Sequence, residues 1–171
     1  ADSLLGLPPG NTIILDFAHF LKTYTSSQME AYQRWNANPS SFRGLKPAQV
    51  SSIEIAERVF PVYADSPLAL FLAKLLGFLY VDGHFRMDYN KRGSQYYTSF
   101  FCGRREELEE LKLDLKKFHF KEGSKLFFHN GLYSFQVKDT ILNRILLVLG
   151  APLGDKLLLS YQIPDWILFG S

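Results

Sequence analysis

A long apolar segment that ends on an acid and a glycine is the feature that most constrains this chain. Residues 68–81 are almost all aliphatic or aromatic, and Asp82 and Gly83 follow at once. Ser66 is suited to cap a helix and Pro67 suits a first helical turn, so the segment predicts one long helix. A chain seldom buries so many apolar side chains only to finish on a carboxylate, unless that carboxylate is delivered to a site.

Composition sets broad limits on the class of protein. The 171 residues are 47% hydrophobic, which suffices for one domain with a sizeable core. The formal net charge of +2 is weak evidence for a nucleic-acid partner, although the acids cluster at 106–114 and leave room for a basic face elsewhere. The single cysteine, Cys102, excludes an intramolecular disulfide and suits a reducing compartment.

The sequence also bears on localisation. The first residues show no basic region of a signal peptide. Lys74 interrupts the best apolar run, so no run reaches the roughly 18 residues that a membrane span needs. We therefore expect an intracellular protein, in the cytoplasm, the nucleoid or an organelle, with no membrane partner.

Residues 1–66 predict an N-terminal extension of mixed character, which resembles no family that we can name. The apolar segment 12–24 could be a strand or a helix, and helices are predicted over 27–35 and from Pro47 onward. The extension could pack against the rest of the chain, or it could contact nucleic acid through Arg43, Lys46 and Arg58.

Residues 67–171 predict a more regular pattern of helices and antiparallel hairpins. After the first helix, the predicted order is strands 84–90 and 95–102, helix 104–117, strands 125–129 and 132–137, and a final helix to Leu149. Asn130-Gly131 is the strongest short hairpin signal, and Asp139 is placed to cap the last helix, which Gly150 ends. The element order is thus α-β-β-α-β-β-α.

Leu75-Leu76-Gly77-Phe78-Leu79-Tyr80-Val81-Asp82-Gly83 resembles the signature of the LAGLIDADG homing endonucleases, and the element order resembles the core of that family over residues 67–171. Segments 149–156 and 163–167 look like archaeal, intron-encoded or intein-borne members. The resemblance implies an α/β (α+β) core with an antiparallel DNA-binding sheet. It also implies a hydrolase that makes double-strand breaks, with short 3′ overhangs, in a long near-palindromic DNA site.

The resemblance implies a homodimer as well, because the chain has one copy of the motif. Ala73 and Gly77 lie four residues apart on one helix face, where small side chains let two helices approach, and form the predicted dimer interface. Each helix would deliver Asp82, with Gly83, to a divalent metal, for which Mg²⁺ is the expected ion. The alternative is an ordinary buried helix that ends in an Asp-Gly turn.

A lysine near the position of Lys156 lies close to the active site in the family, so Lys156 is a second predicted catalytic residue. A cation there would stabilise the charge on the phosphate in the transition state. A surface lysine without a catalytic role is the alternative.

Strand 84–90 alternates polar and apolar residues, so four polar side chains share one face: His84, Arg86, Asp88 and Asn90. This face suits the major groove, where Arg can bind guanine, Asn adenine and Asp cytosine, although a solvated outer face is the alternative. The returning strand is ambiguous, since either Gln95, Tyr97 and Ser99 or Tyr96, Thr98 and Phe100 could face DNA; we predict the first set. The other predicted DNA contacts are Lys91, Arg92, Lys125 and His129.

Other kinds of site have little support in the sequence. The charges of helix 104–117 alternate in sign and predict a solvated face, and the four histidines lack zinc-ligand spacing with Cys102. Two alternative functions remain. One is a non-cleaving LAGLIDADG protein that binds DNA or RNA, as a transcription factor or an intron maturase. The other is a structural domain that dimerises through its apolar helix.

Overall fold

A computed structural model describes residues 12–23, 59–93 and 95–154, which form a mixed α+β fold, as the sequence predicted. The elements of this part of the chain are β1 (Ile13–Leu15), α1 (Phe17–Leu21), β2 (Val62–Tyr63), α2 (Pro67–Tyr80), β3 (His84–Tyr89), β4 (Gln95–Gly103), α3 (Arg105–Lys117), β5 (Phe127–His129), β6 (Leu132–Val137) and α4 (Thr140–Val148). From α2 onward, the order is the predicted α-β-β-α-β-β-α.

Helix α2 begins and ends close to where the sequence predicted. Ser66 caps it, since its hydroxyl oxygen accepts the N–H of Ala69 at 3.1 Å, and Pro67 is its first residue. The helix buries six of its 14 residues. Among the described residues, no helix is both long enough and apolar enough to cross a membrane.

Four strands form an antiparallel sheet in the order β3-β4-β6-β5, and β1 and β2 form a separate two-stranded sheet. Both predicted hairpins are present. Asn130 and Gly131 have φ values of 51° and 81°, and two consecutive positive φ values are what a type I′ hairpin turn requires.

One face of the four-stranded sheet packs against helices α2, α3 and α4. Phe85, Phe101 and Phe135 project from this face into the core. Helix α3 contributes its predicted inward residues, Leu108, Leu111 and Leu115, all fully buried. The opposite face of the sheet is thereby left for other contacts.

The described part of the N-terminal extension packs on this same core. Phe20 of α1 is 1% exposed and its ring lies 5.1 Å from that of Phe60. Arg144 of α4 donates a hydrogen bond from Nη1 to the carbonyl of Thr23 at 2.5 Å. These contacts suit the packing role, and a domain boundary at residue 66 stays a prediction. Helices 27–35 and from Pro47, with Arg43, Lys46 and Arg58, lie outside the described residues.

Candidate nucleic-acid interface and metal site

The Asp-Gly pair at the end of α2 occupies a tight junction with β4. The N–H of Gly83 donates to the carbonyl of Phe78 at 2.7 Å. A Cβ atom at Gly83 would lie 2.6 Å from the carbonyl oxygen of Phe100 and 2.7 Å from that of Phe78. Only glycine fits this junction, because both neighbours are backbone atoms. Asp82, just before it, is exposed.

Asp82 lines a groove of about 390 Å³ between α2 and the start of α3, with Lys74, Cys102 and Glu107 among the other lining residues. Arg104 donates to Glu107 at 2.8 Å, and this hydrogen bond holds the pKa of Glu107 below its usual range. Among the described residues, no three His, Cys, Asp or Glu side chains are grouped to hold a metal ion. The exposed Asp82 carboxylate suits Mg²⁺, which takes one or two carboxylates and completes its shell with water and phosphate oxygens.

The solvent side of α2 carries an apolar stripe of Leu70, Ala73, Gly77 and Val81, spaced three or four residues apart. Leu70 is 57% and Val81 is 71% exposed. A Cβ atom at Gly77 would meet nothing within 4 Å, so the protomer itself does not require glycine there. Glycine inside a helix is about 1 kcal/mol less favourable than alanine, which leaves Gly77 unexplained by the fold of one chain.

The sheet face opposite the helices, here called the outer face, carries charged and aromatic side chains. Strand pairing places the polar residues of β3 opposite three residues of β4: His84 with Phe100, Arg86 with Thr98, and Asp88 with Tyr96. The outer face continues through Leu132, Ser134 and Gln136 on β6 and Phe127 and His129 on β5. The predicted shared face of His84, Arg86 and Asp88 is therefore confirmed.

Two cations lie over aromatic rings on the outer face. The guanidinium carbon of Arg86 is 4.9 Å from the ring centroid of Phe100, and the amine of Lys138 is 5.7 Å from that of Tyr96. Arg86 also donates from Nε to Asp88 at 2.7 Å. In the described part of the chain its terminal nitrogens make no hydrogen bond, so they can bind paired acceptors such as guanine O6 and N7.

The prediction that Ser99 and Tyr97 face a ligand was wrong. Ser99 is fully buried on the core face, where its hydroxyl donates to the side-chain oxygen of Asn143 at 2.7 Å. The ring of Tyr97 stacks on Phe85 with centroids 5.8 Å apart. Both side chains are directed toward the helices.

Gln95 belongs to the same core-side set as Tyr97 and Ser99, but it stands at the open end of β4 and is exposed. Its side-chain nitrogen donates to the hydroxyl of Tyr89 at 3.3 Å. The residues of β4 that lie on the outer face are those of the alternative set: Tyr96, Thr98 and Phe100.

Asn90 is a turn residue and not part of the polar face of β3, which ends at Tyr89. Its side-chain oxygen accepts the N–H of Arg92 at 2.9 Å, and this bond shapes the turn that follows. Lys91 and Arg92 are exposed in that turn. Lys125 and His129 are exposed too; His129 lies on the outer face, whereas Lys125 precedes β5, which begins later than predicted.

Lys156 lies outside the described residues. The described chain ends at Gly154, whose N–H donates to the carbonyl of Phe85 at 2.8 Å, and Leu153 bridges Phe85 in parallel. After α4, the chain therefore returns to Phe85 of β3, three residues after Asp82.

Sequence reasoning missed a second pocket at the edge of the outer face. Lys121, Gln136 and Lys138 line this open pocket of about 590 Å³. The inward alternation of Phe135 and Val137 was a signal that could have placed Gln136 outward.

Lys112 departs from the predicted solvated face of α3. Its amine donates to the carbonyls of Glu122 and Ser124, at 2.9 and 2.5 Å, and lies 4.8 Å from the ring centroid of Phe135. Partial burial lowers the pKa of Lys112. This side chain ties the loop before β5 to α3.

No family model matches the chain. It is similar to the tRNA-splicing ligase RtcB of Pyrococcus furiosus, with 29% identity over 143 residues. The match covers 75% of this chain but 14% of the ligase, so the shared segment is a small part of that protein.

Proposed function

We propose that this chain is a homing endonuclease of the LAGLIDADG type, a homodimer that cuts both strands of a long, near-palindromic DNA site with Mg²⁺. The observation that carries the proposal is the exposed Asp82 at the end of a buried apolar helix, held by a junction that admits only Gly83. The close backbone packing around Gly83 fixes the direction in which the chain leaves α2, and with it the position of Asp82.

Dimerisation accounts for two features of α2 that one chain leaves unexplained. The apolar stripe of Leu70, Ala73, Gly77 and Val81 is uncovered in the protomer, and the space around Gly77 is open. A second copy of α2 packed on this stripe would bury both, and a twofold axis along the contact would bring two Asp82 residues together.

A divalent ion at Asp82 would neutralise charge on the phosphate and lower the pKa of the attacking water. The chain's own residues serve to bind and orient the substrate. Asp82 supplies a ligand oxygen, and Arg86 and Lys138 on the outer face supply positive charge toward a polyanion. Because the pairing of Arg86 with Asp88 fixes its orientation, the guanidinium is ready to bind before DNA arrives.

The similarity to the ligase supports a nucleic-acid-processing enzyme in general. That relative acts in tRNA splicing by its name, but a match to 14% of its length does not carry ligation to this chain. The second candidate function is therefore a non-cleaving protein of the same fold that binds DNA or RNA, as a transcription factor or an intron maturase. The cations and aromatic rings of the outer face suit RNA as well.

The test is cleavage of a plasmid library made from host DNA that lacks the insertion encoding this chain. We expect one plasmid to be linearised in Mg²⁺ and none in chelator. Asp82→Asn should be inactive, whereas the control Asp65→Asn, at another exposed acid, should cut normally. Specific binding without linearisation, for DNA or for RNA transcripts of the same library, would favour the non-cleaving alternative.

A further inference from the structure

The tip of the β5–β6 hairpin exposes large apolar side chains. Phe127 is 62%, Phe128 is 58% and Leu132 is 45% exposed. The backbone of the Asn130-Gly131 turn has the conformation of a type I′ turn, whose geometry does not depend on these side chains. Exposed apolar side chains that are gathered in one patch mark contact sites, whereas single scattered ones are ordinary.

Strand register divides these side chains between the two faces of the sheet. Phe127 and His129 lie on the outer face with Leu132, and the rings of Phe127 and His129 stack with centroids 6.1 Å apart. Phe128 lies on the other side, 4.8 Å from the ring of Tyr133. Phe127 and Leu132 therefore extend the outer face to its edge, with Phe127 on the edge strand β5 and Leu132 on the neighbouring strand β6.

The charges beside this hairpin favour a polyanion as the partner. Residues 119–138 contain three lysines, Lys121, Lys125 and Lys138, against one acid, Glu122. Phe127 and Leu132 have no side-chain hydrogen-bonding groups, so they cannot bind the donors and acceptors at base edges. In the minor groove, apolar side chains accompanied by cations do enter base steps, where they unstack the bases and kink the duplex.

We propose that Phe127, with Leu132 on the same face, is a wedge that enters a base step of duplex DNA from the minor groove, at the edge of the outer face farthest from β3. This inference rests on the proposed function, since it takes DNA as the ligand of that face. The rigid type I′ turn would hold the wedge in place before binding.

The test uses the selected duplex without divalent metal, carrying 2-aminopurine at successive steps beneath the hairpin. Wild type should raise the fluorescence at one step in each half-site, because the probe brightens when it is unstacked. Phe127→Ala should abolish the rise and weaken binding at least about fivefold. The control Leu113→Ala removes a side chain that is 69% exposed on α3 and should change neither quantity.

The outcomes separate the wedge from the proposed function. If wild type binds no duplex, both are overturned. If it binds specifically but Phe127→Ala gives the same fluorescence and affinity, only the wedge is overturned. If wild type gives no fluorescence rise but Phe127→Ala binds more weakly, the wedge is overturned, and Phe127 instead contacts a thymine methyl group. If Phe127→Ala reduces only self-association, the wedge is overturned, and Phe127 instead contacts a second copy of the chain.

Discussion

The hydroxyl of Ser99 donates to the side-chain oxygen of Asn143 at 2.7 Å, across 44 residues of sequence, and this buried pair fixes which face of β4 meets the helices. Asn143 also donates from its side-chain nitrogen to the carbonyls of Tyr97 and Val137 at 2.8 and 2.9 Å. The amide thus ties α4 to both central strands of the sheet, and leaves the opposite side chains of β4 for the outer face.

Asn143→Leu should lower the free energy of unfolding by about 3 kcal/mol or more, because it removes three buried hydrogen bonds, to the Ser99 hydroxyl and to the carbonyls of Tyr97 and Val137. Ser99→Ala should cost only about 1–2 kcal/mol. Urea denaturation measures both. Since Ser99 is buried, its variant should bind DNA as wild type does, and a specific loss of affinity would contradict the assignment of faces.

Asp82→Asn should reduce cleavage by more than about a hundredfold, since a direct metal ligand should matter more than the outer-shell groups that typically cost 10- to 100-fold. DNA affinity should stay equal or rise, because a negative charge near phosphate is removed. Single-turnover cleavage and a binding titration in chelator measure the two effects. Cleavage at the wild-type rate would remove Asp82 from the active site.

Gly77→Leu should leave the protomer folded, because the space around Gly77 is open and leucine favours helix. It should weaken dimerisation about five- to 150-fold, as overpacking an interface costs about 1–3 kcal/mol. Analytical ultracentrifugation with and without DNA provides the measurement. Lys116→Leu, which adds the same side chain to an exposed position on α3, is the matched control. A wild-type protein that stays monomeric on DNA would contradict the interface.

Arg86→Ala should weaken binding by about 1–3 kcal/mol and relax the preference at one base pair in each half-site, if the terminal nitrogens of Arg86 bind guanine. Arg92→Ala, at the exposed turn, should weaken all sequences alike and reduce the salt dependence. A binding profile across every single-base variant of the site compares them. If the profiles of wild type and Arg86→Ala have the same shape, Arg86 does not bind a base and is a phosphate contact or a solvent-exposed group.

Lys156→Met should slow cleavage about tenfold or more, with little change in DNA affinity, if its charge contributes even ~1.4 kcal/mol to the transition state. Lys125→Met, at an exposed lysine predicted to contact DNA, should instead change affinity more than rate. Cleavage rates at saturating protein separate the two effects. Unchanged kinetics in Lys156→Met would assign it to the surface.

The sequence by itself determined those elements that depend on residues close along the chain. Ser66 and Pro67 set the start of α2, Asp139 caps α4, and Asn130-Gly131 forms its turn, because each signal acts within about four residues. The alternation in β3 likewise separated His84, Arg86 and Asp88 from the core side without any knowledge of other strands.

Tertiary structure alone decided which residues of β4 face outward. Both alternating sets contain polar and aromatic side chains, and a shift of one residue in register exchanges the two faces completely. The choice depends on Asn143, which follows Ser99 by 44 residues, and no local pattern reveals that contact. The same holds for Lys112, whose amine binds carbonyls 10 and 12 residues away, although the local charge pattern predicted a solvated side chain.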